Sequence, residues 1–121
     1  MARDYRKIKA WQLADELALL VYKATKEFPK SKIWGLTSQM RRAAVSVPAN
    51  IVEGSARRNR NEYLQFLYIA ISSLAELNCY IRFTKELRYL DTNGYEELWA
   101  KSQEGLRMLQ GLISYIEKSG V

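Results

Sequence analysis

Histidine is absent from the 121 residues, and with it go the commonest general base and the commonest transition-metal ligand in one stroke. Enzyme readings therefore start at a disadvantage. Cys79 is the one cysteine, so the chain can form no internal disulfide, and its setting in LNCYI reads as a small buried apolar residue of a protein kept in a reducing compartment. Only two prolines and six glycines interrupt a sequence that is 48% hydrophobic, which excludes a long disordered tail or linker. No window is read as the ~20 apolar residues a membrane span needs. The start, MARDYRKIKAWQLADE, is charged within its first nine residues and lacks the uninterrupted apolar core of a signal peptide. The expectation is one domain spanning residues 1–121, cytoplasmic, without cofactor, metal or membrane partner.

What is present is basic charge, unevenly placed. Residues 1–60 hold 13 Lys/Arg against five Asp/Glu, a balance of +8, whereas residues 61–121 hold six against eight, a balance of −2. Such asymmetry marks either a polyanion-binding face or a means for one protomer's basic half to meet another's acidic half.

Four helices follow from apolar spacing, and no strand-length stretch alternates with period two. The first carries Trp11, Ala14, Ala18, Val21, Thr25 and Phe28 on one stripe, with Leu13, Leu17 and Leu20 beside it; Pro29 closes it. The second spans roughly residues 33–58, with Leu36, Met40, Ala43, Val47 and Ile51 on one side. Pro48 lies inside it and deletes a backbone donor, so a kink or a break is expected near Ser46. Asn59 and Glu62 form a capping-box variant that starts the third helix, whose core stripe is Tyr63, Leu67, Ala70, Leu74, Leu77, Ile81 and Thr84. Leu64, Tyr68, Ile71 and Ala75 add apolar surface on another side. After the turn at residues 90–94, Tyr95, Trp99, Ser102, Leu106, Leu109, Ile113 and Ile116 make the fourth. The architecture expected is an all-α, antiparallel up-down-up-down four-helix bundle. Doubled stripes on the first and third helices predict a homo-oligomer, because two stripes make a wider apolar face than one protomer covers.

Two groups of polar residues are candidates for function. Arg41, Arg42, Arg57, Arg58 and Arg60 fall within twenty residues, and guanidinium forks suit phosphate bidentately, so these five are read as one electropositive nucleic-acid or partner-binding patch. With no base-reading motif visible, contacts to RNA or DNA would go mainly to backbone phosphates. Asn50, Glu53, Ser73 and Glu76 are read as a structural polar cluster between helices two and three, fixing their register around Pro48, with a catalytic Glu53–Glu76 pair as the alternative. Trp11, Tyr63 and Trp99 fall on core stripes; Trp34 and Tyr5 are left less committed. No Glu-x-x-His pair and no glycine-rich phosphate loop occurs.

One stretch departs from a routine bundle helix: GLTSQMRRAAVSVPANIVEGSARR, residues 35–58. With FP at 28–29 and EYLQFLYIAISSLAEL at 62–77, it resembles the four-helix-bundle family of the 23S rRNA intervening-sequence proteins, which also includes the accessory variability protein of diversity-generating retroelements. The likeness covers nearly the whole chain. It implies a cytoplasmic bacterial protein, a ring of five bundles with basic surface, and, in the retroelement branch, a non-catalytic protein that binds a reverse transcriptase and nucleic acid. The five arginines would then carry the contact, while Pro48, Asn50 and Glu53 define the fold. The runner-up is a purely structural assembly module.

Overall fold

The computed structural model describes residues 3–119. Its four long helices are α1 (Lys9–Thr25), α2 (Ser38–Ser55), α3 (Arg60–Glu86) and α4 (Thr92–Ser119), with short 3-10 turns at Tyr5–Lys7 and Lys30–Lys32 and a π-helical turn at Ile33–Thr37. Among the described residues there is no strand. α1 packs on α2, α2 on α3, α3 on α4, and α4 returns to α1, so the helices close a ring around one core. Cross-links pair low numbers with high ones around that ring. The end of α1 meets the start of α2 through Thr25 and Arg41, the start of α3 meets the end of α4 through Arg60 and Ile116, and Glu16 reaches Lys101 between α1 and α4.

The core is built largely by the predicted stripes, except that on α4 the unpredicted Leu98 is buried while Tyr95, Trp99 and Leu106 are half-buried. Val21, Met40, Ile51, Leu67, Leu77 and Ile81 are completely buried, and Leu17, Val47, Tyr63, Leu74, Leu98 and Leu109 nearly so. Both stripes of α1 turn inward within the single chain: Leu13 and Leu17 are buried beside Ala14 and Ala18, and Leu20 is half-buried. The second stripe of α1 thus closes this core and leaves little for a subunit contact. On α3 the second side divides, with Leu64 buried, Ile71 half-buried, and Tyr68 and Ala75 exposed.

Cys79 is exposed, contrary to expectation. It stands two residues after the buried Leu77, about 200° around the helix, and two before the buried Ile81, so its side chain points away from the core. α3 is also long and apolar enough, by length and composition, to cross a membrane, which corrects the reading that no such window exists. Here its apolar side is the wall of the bundle core, packed on α2 and α4.

α2 runs unbroken through Pro48, whose ring is buried among core residues. Non-helical backbone lies earlier, at Gly35 within the Ile33–Thr37 turn, where φ −113° and ψ −108° mark a kink. α3 begins as predicted: the Asn59 side chain accepts from the backbone N–H of Asn61 and Glu62. It ends in a Schellman turn, with Arg88 N–H donating to the Lys85 carbonyl (2.9 Å) and Tyr89 N–H to that of Thr84 (2.9 Å). Arg88 takes the left-handed position of that turn at φ 63°, the place glycine normally fills. Arg88→Gly is expected to stabilise the protein by about 0.5–1 kcal/mol, read as a higher urea midpoint at unchanged slope.

Candidate functional site

The ring order of the helices turns a difference along the chain into a difference in space. α1 and α2 form one side of the bundle and carry the basic half of the sequence; α3 and α4 form the other. Within the basic side, however, the five arginines do not make one patch. Arg41 and Arg42 stand near the start of α2, whereas Arg57, Arg58 and Arg60 stand around the α2–α3 corner. The helix between Arg42 and Ser55 spans about 20 Å at 1.5 Å per residue.

The five also differ in what already occupies them. Arg41 is half-buried: its Nε donates to Thr25 Oγ1 at 2.7 Å, and its guanidinium lies 4.8 Å from the Tyr22 ring, which ties α2 to α1. Arg42 is exposed and donates to Gln39 Oε1 at 3.0 Å. Arg57 pairs with Glu53 at 3.4 Å and lies 4.9 Å from the Phe66 ring, both exposed contacts of small energetic weight. Arg60 is spent on structure, donating to the Ile116 and Glu117 carbonyls at the end of α4 at 3.2 and 3.4 Å. Arg58 is exposed and makes no hydrogen bond, ion pair or ring contact among the described residues. Arg42 and Arg58 are thus the most available of the five.

Sequence reasoning missed Arg3, which completes the corner. Its Nη1 donates to the Arg57 carbonyl at 2.6 Å, and its guanidinium lies 4.1 Å from the Tyr63 ring. Burial raises the Tyr63 phenol pKa, and the Arg3 charge offsets part of that rise. The signal that points to Arg3 is spatial, because 54 residues separate it from Arg57.

The polar cluster forms only in part. Asn50 Nδ2 donates to the Ser46 carbonyl at 2.7 Å and to Ser46 Oγ at 3.0 Å, and Ser46 Oγ meets Ser73 Oγ across the α2–α3 seam at 2.8 Å. Ser46, unforeseen as a member, is its centre; it sits one turn before Asn50, the spacing that puts both on one face. Glu53 instead faces the corner with Arg57. Glu76 is exposed and accepts from Tyr80 at 2.9 Å, a bond that raises the Tyr80 pKa. A Glu53–Glu76 catalytic pair is therefore not assembled: Glu76 shares a recess with Arg42 at the start of α2, and Glu53 lies 11 positions further, about 16 Å along the helix. Replacing Ser73 with Ala is expected to cost about 0.5–1.5 kcal/mol, and adding Ser46→Ala to cost less than the sum, since the shared bond is already gone. Thermal denaturation of the three variants measures that coupling.

Beside Arg41 and Arg42 an open groove of about 590 Å³ runs along α1 and α2, walled by Tyr22, Ile33, Trp34 and Val45 and ending at Ser46 and Asn50. Trp34, which sequence spacing left uncommitted, is 92% exposed at its rim. Tyr5 by contrast stacks edge-on against Trp11, with ring centroids 4.9 Å apart. Among the described residues no group of three or more Cys, Asp or Glu side chains gathers as a metal site.

No curated protein matches this chain significantly. A crystal structure of a protein of unknown function from the S23 ribosomal protein family of Bacteroides thetaiotaomicron superposes with a TM-score of 0.78, covering 87% of this chain and 95% of that one at 22% identity; this likeness speaks for the fold alone. The family model described as 23S rRNA-intervening sequence protein matches residues 6–111, most of the four helices. That match spans more than half of the sequence and agrees with the bundle described above, and the chain belongs to the 23S rRNA-intervening sequence protein family.

Proposed function

We propose that this protein is a non-enzymatic, homo-oligomeric helical bundle that binds nucleic acid, or an enzyme acting on nucleic acid, through the basic α1–α2 side. The observation that carries the reading is the availability of Arg42 and Arg58 at the two ends of α2 on the side of the bundle that holds the +8 half of the sequence. Five-fold assembly is what the family resemblance implies, and a reverse transcriptase partner is what its retroelement branch implies. Exposed Leu19, Ile69, Phe83 and Tyr115 give the bundle apolar surface on three helices for contacts between copies. The reading keeps the protein in the cytoplasm.

The separation of the two arginine groups sets a length requirement. The phosphates of each strand advance ~3.4 Å per base pair along the duplex axis, so about six base pairs are needed to reach from Arg42 past the end of α2. Fluorescence anisotropy with labelled RNA and DNA of four to twenty base pairs tests this: affinity should rise sharply once both ends are reached, and no binding at low salt would defeat the reading. Light scattering tests assembly, and a clean 14.1 kDa species would contradict it.

The segregation of charge also supports a second reading, in which the basic side of one bundle meets the acidic side of the next and no nucleic acid is bound. That reading predicts assemblies that fall apart in high salt while showing no affinity for RNA or DNA.

A further inference from the structure

Trp34 is the part of the surface that the fold accounts for least. It is 92% exposed, whereas the next most exposed large apolar side chains, Leu19 and Tyr115, reach 60%. It makes no hydrogen bond or ring contact among the described residues. Its indole stands on the Ile33–Thr37 turn, at the rim of the groove of about 590 Å³ along α1 and α2. Tyr22, Ile33 and Val45, each more than two-fifths exposed, line the same groove, so four exposed apolar side chains gather on one concave surface of ligand-site size.

Charge decides which occupant fits that surface. Arg41 and Arg42 line the groove and no carboxylate does. Arg41 is committed to Thr25 and to the Tyr22 ring, so it lends the wall positive charge and holds that ring in place. Arg42 is exposed, and its one hydrogen bond runs from Nη2 to Gln39, which leaves the rest of the guanidinium to a ligand. Glu76, in the adjoining recess, makes no ion pair with it. Ser38 makes no hydrogen bond among the described residues, and Asn50 spends only its amide nitrogen on Ser46, so a hydroxyl and a carboxamide oxygen are also available.

From this geometry we infer that the groove takes unpaired bases of a nucleic-acid strand or loop, one base stacking on Trp34 while an adjoining phosphate meets Arg42. A strand supplies a planar aromatic group and an anion with every repeat, which is the pairing that an exposed indole beside an arginine and no carboxylate asks for. A protein segment supplies a carboxylate only at intervals. Bases inside a duplex are stacked on each other and closed to the indole, so the groove distinguishes unpaired from paired strands. The inference rests on the nucleic-acid reading of the α1–α2 side and narrows it to single-stranded segments.

Tryptophan emission of the full chain, titrated with uridine and thymidine single strands of about twelve nucleotides and with a duplex of the same length, tests it. Saturable quenching by the single strands and not by the duplex is expected, and Trp34→Phe should abolish the quenching, since Trp11 and Trp99 are half-buried. Measured by anisotropy, Trp34→Ala should weaken single-strand binding about five- to a hundredfold, and Trp34→Phe, which keeps a ring to stack on, should restore most of it. Because Trp34 carries no charge, Trp34→Ala should leave the salt slope unchanged, whereas Arg42→Ala should ease it by about 0.7, the release from one phosphate of a single strand. Trp34→Ala should melt like the parent, because the side chain it removes is almost wholly exposed. A duplex bound as tightly as the single strands with emission unchanged, or equal single-strand affinity in Trp34→Ala, overturns this inference and leaves the nucleic-acid reading standing. No binding of any strand at low salt overturns both. A Trp34→Ala that binds strands like the parent but changes mass by light scattering overturns the inference and gives the groove to a second copy of the chain.

Discussion

Replacing Arg42 and Arg58 together with alanine should lower affinity for nucleic acid about 50- to 100-fold at 0.1 M salt, with the fold intact. Each arginine that neutralises a phosphate releases close to one counterion, which at this salt concentration is worth a little under a factor of ten, and two such losses multiply. The fold should be unaffected because Arg42 bonds only within its own helix and Arg58 makes no hydrogen bond, ion pair or ring contact among the described residues. Stability is then expected to stay within about 0.5 kcal/mol. Arg60→Ala is the instructive contrast. It removes two bonds to the α4 carbonyls, so it should lower stability as well as affinity. Circular dichroism melts beside anisotropy titrations read both quantities, and an Arg42/Arg58 double variant that binds like the parent would remove the proposed interface.

Gly54→Ala should destabilise the protein by about 1–3 kcal/mol, a large share of the 5–15 kcal/mol typical of a domain this size. Alanine ordinarily improves a helix by up to about 1 kcal/mol over glycine, so the expected sign reverses the usual one. The reason is the closeness of α3. A Cβ at Gly54 would lie 2.9 Å from both Phe66 Cβ and Tyr63 Cδ1 and 3.1 Å from the Tyr63 carbonyl oxygen. The carbonyl belongs to the α3 backbone and cannot swing aside, so the two helices would have to separate at the corner that Arg3, Arg57 and Tyr63 also hold. Gly111→Ala is the control: its Cβ meets open space, and it should stabilise by about 0.5–1 kcal/mol. A Gly54→Ala protein as stable as the parent would show that the α2–α3 approach is looser than described.

The fold was legible because its signals are local and repeated. The stripe from Tyr63 to Thr84 returns every three or four residues for six turns, and each member is buried. The Asn59 cap was equally readable, since its bonds reach only two and three residues along the chain. What escaped lay across the structure. The pairing of Ser46 with Ser73 spans 27 residues and that of Arg3 with Arg57 spans 54, and no periodicity reports such meetings. Cys79 misled because residue type was weighed above helix phase. Pro48 pointed to a kink or a break near Ser46; α2 continues through it as one helix, while non-helical backbone sits earlier, at Gly35. The arginines were readable as a group by spacing and divided only by the length of α2.

The central claim, a basic face that engages phosphates, is tested most directly by the salt dependence of RNA binding, measured as the logarithm of affinity against the logarithm of salt between 50 and 200 mM. With about four phosphates engaged, the slope should be near −3 to −4 and affinity should fall about a hundredfold across that range, and the slope should ease by about two in Arg42→Ala/Arg58→Ala. A flat line, or a slope that the double substitution leaves unchanged, would contradict it.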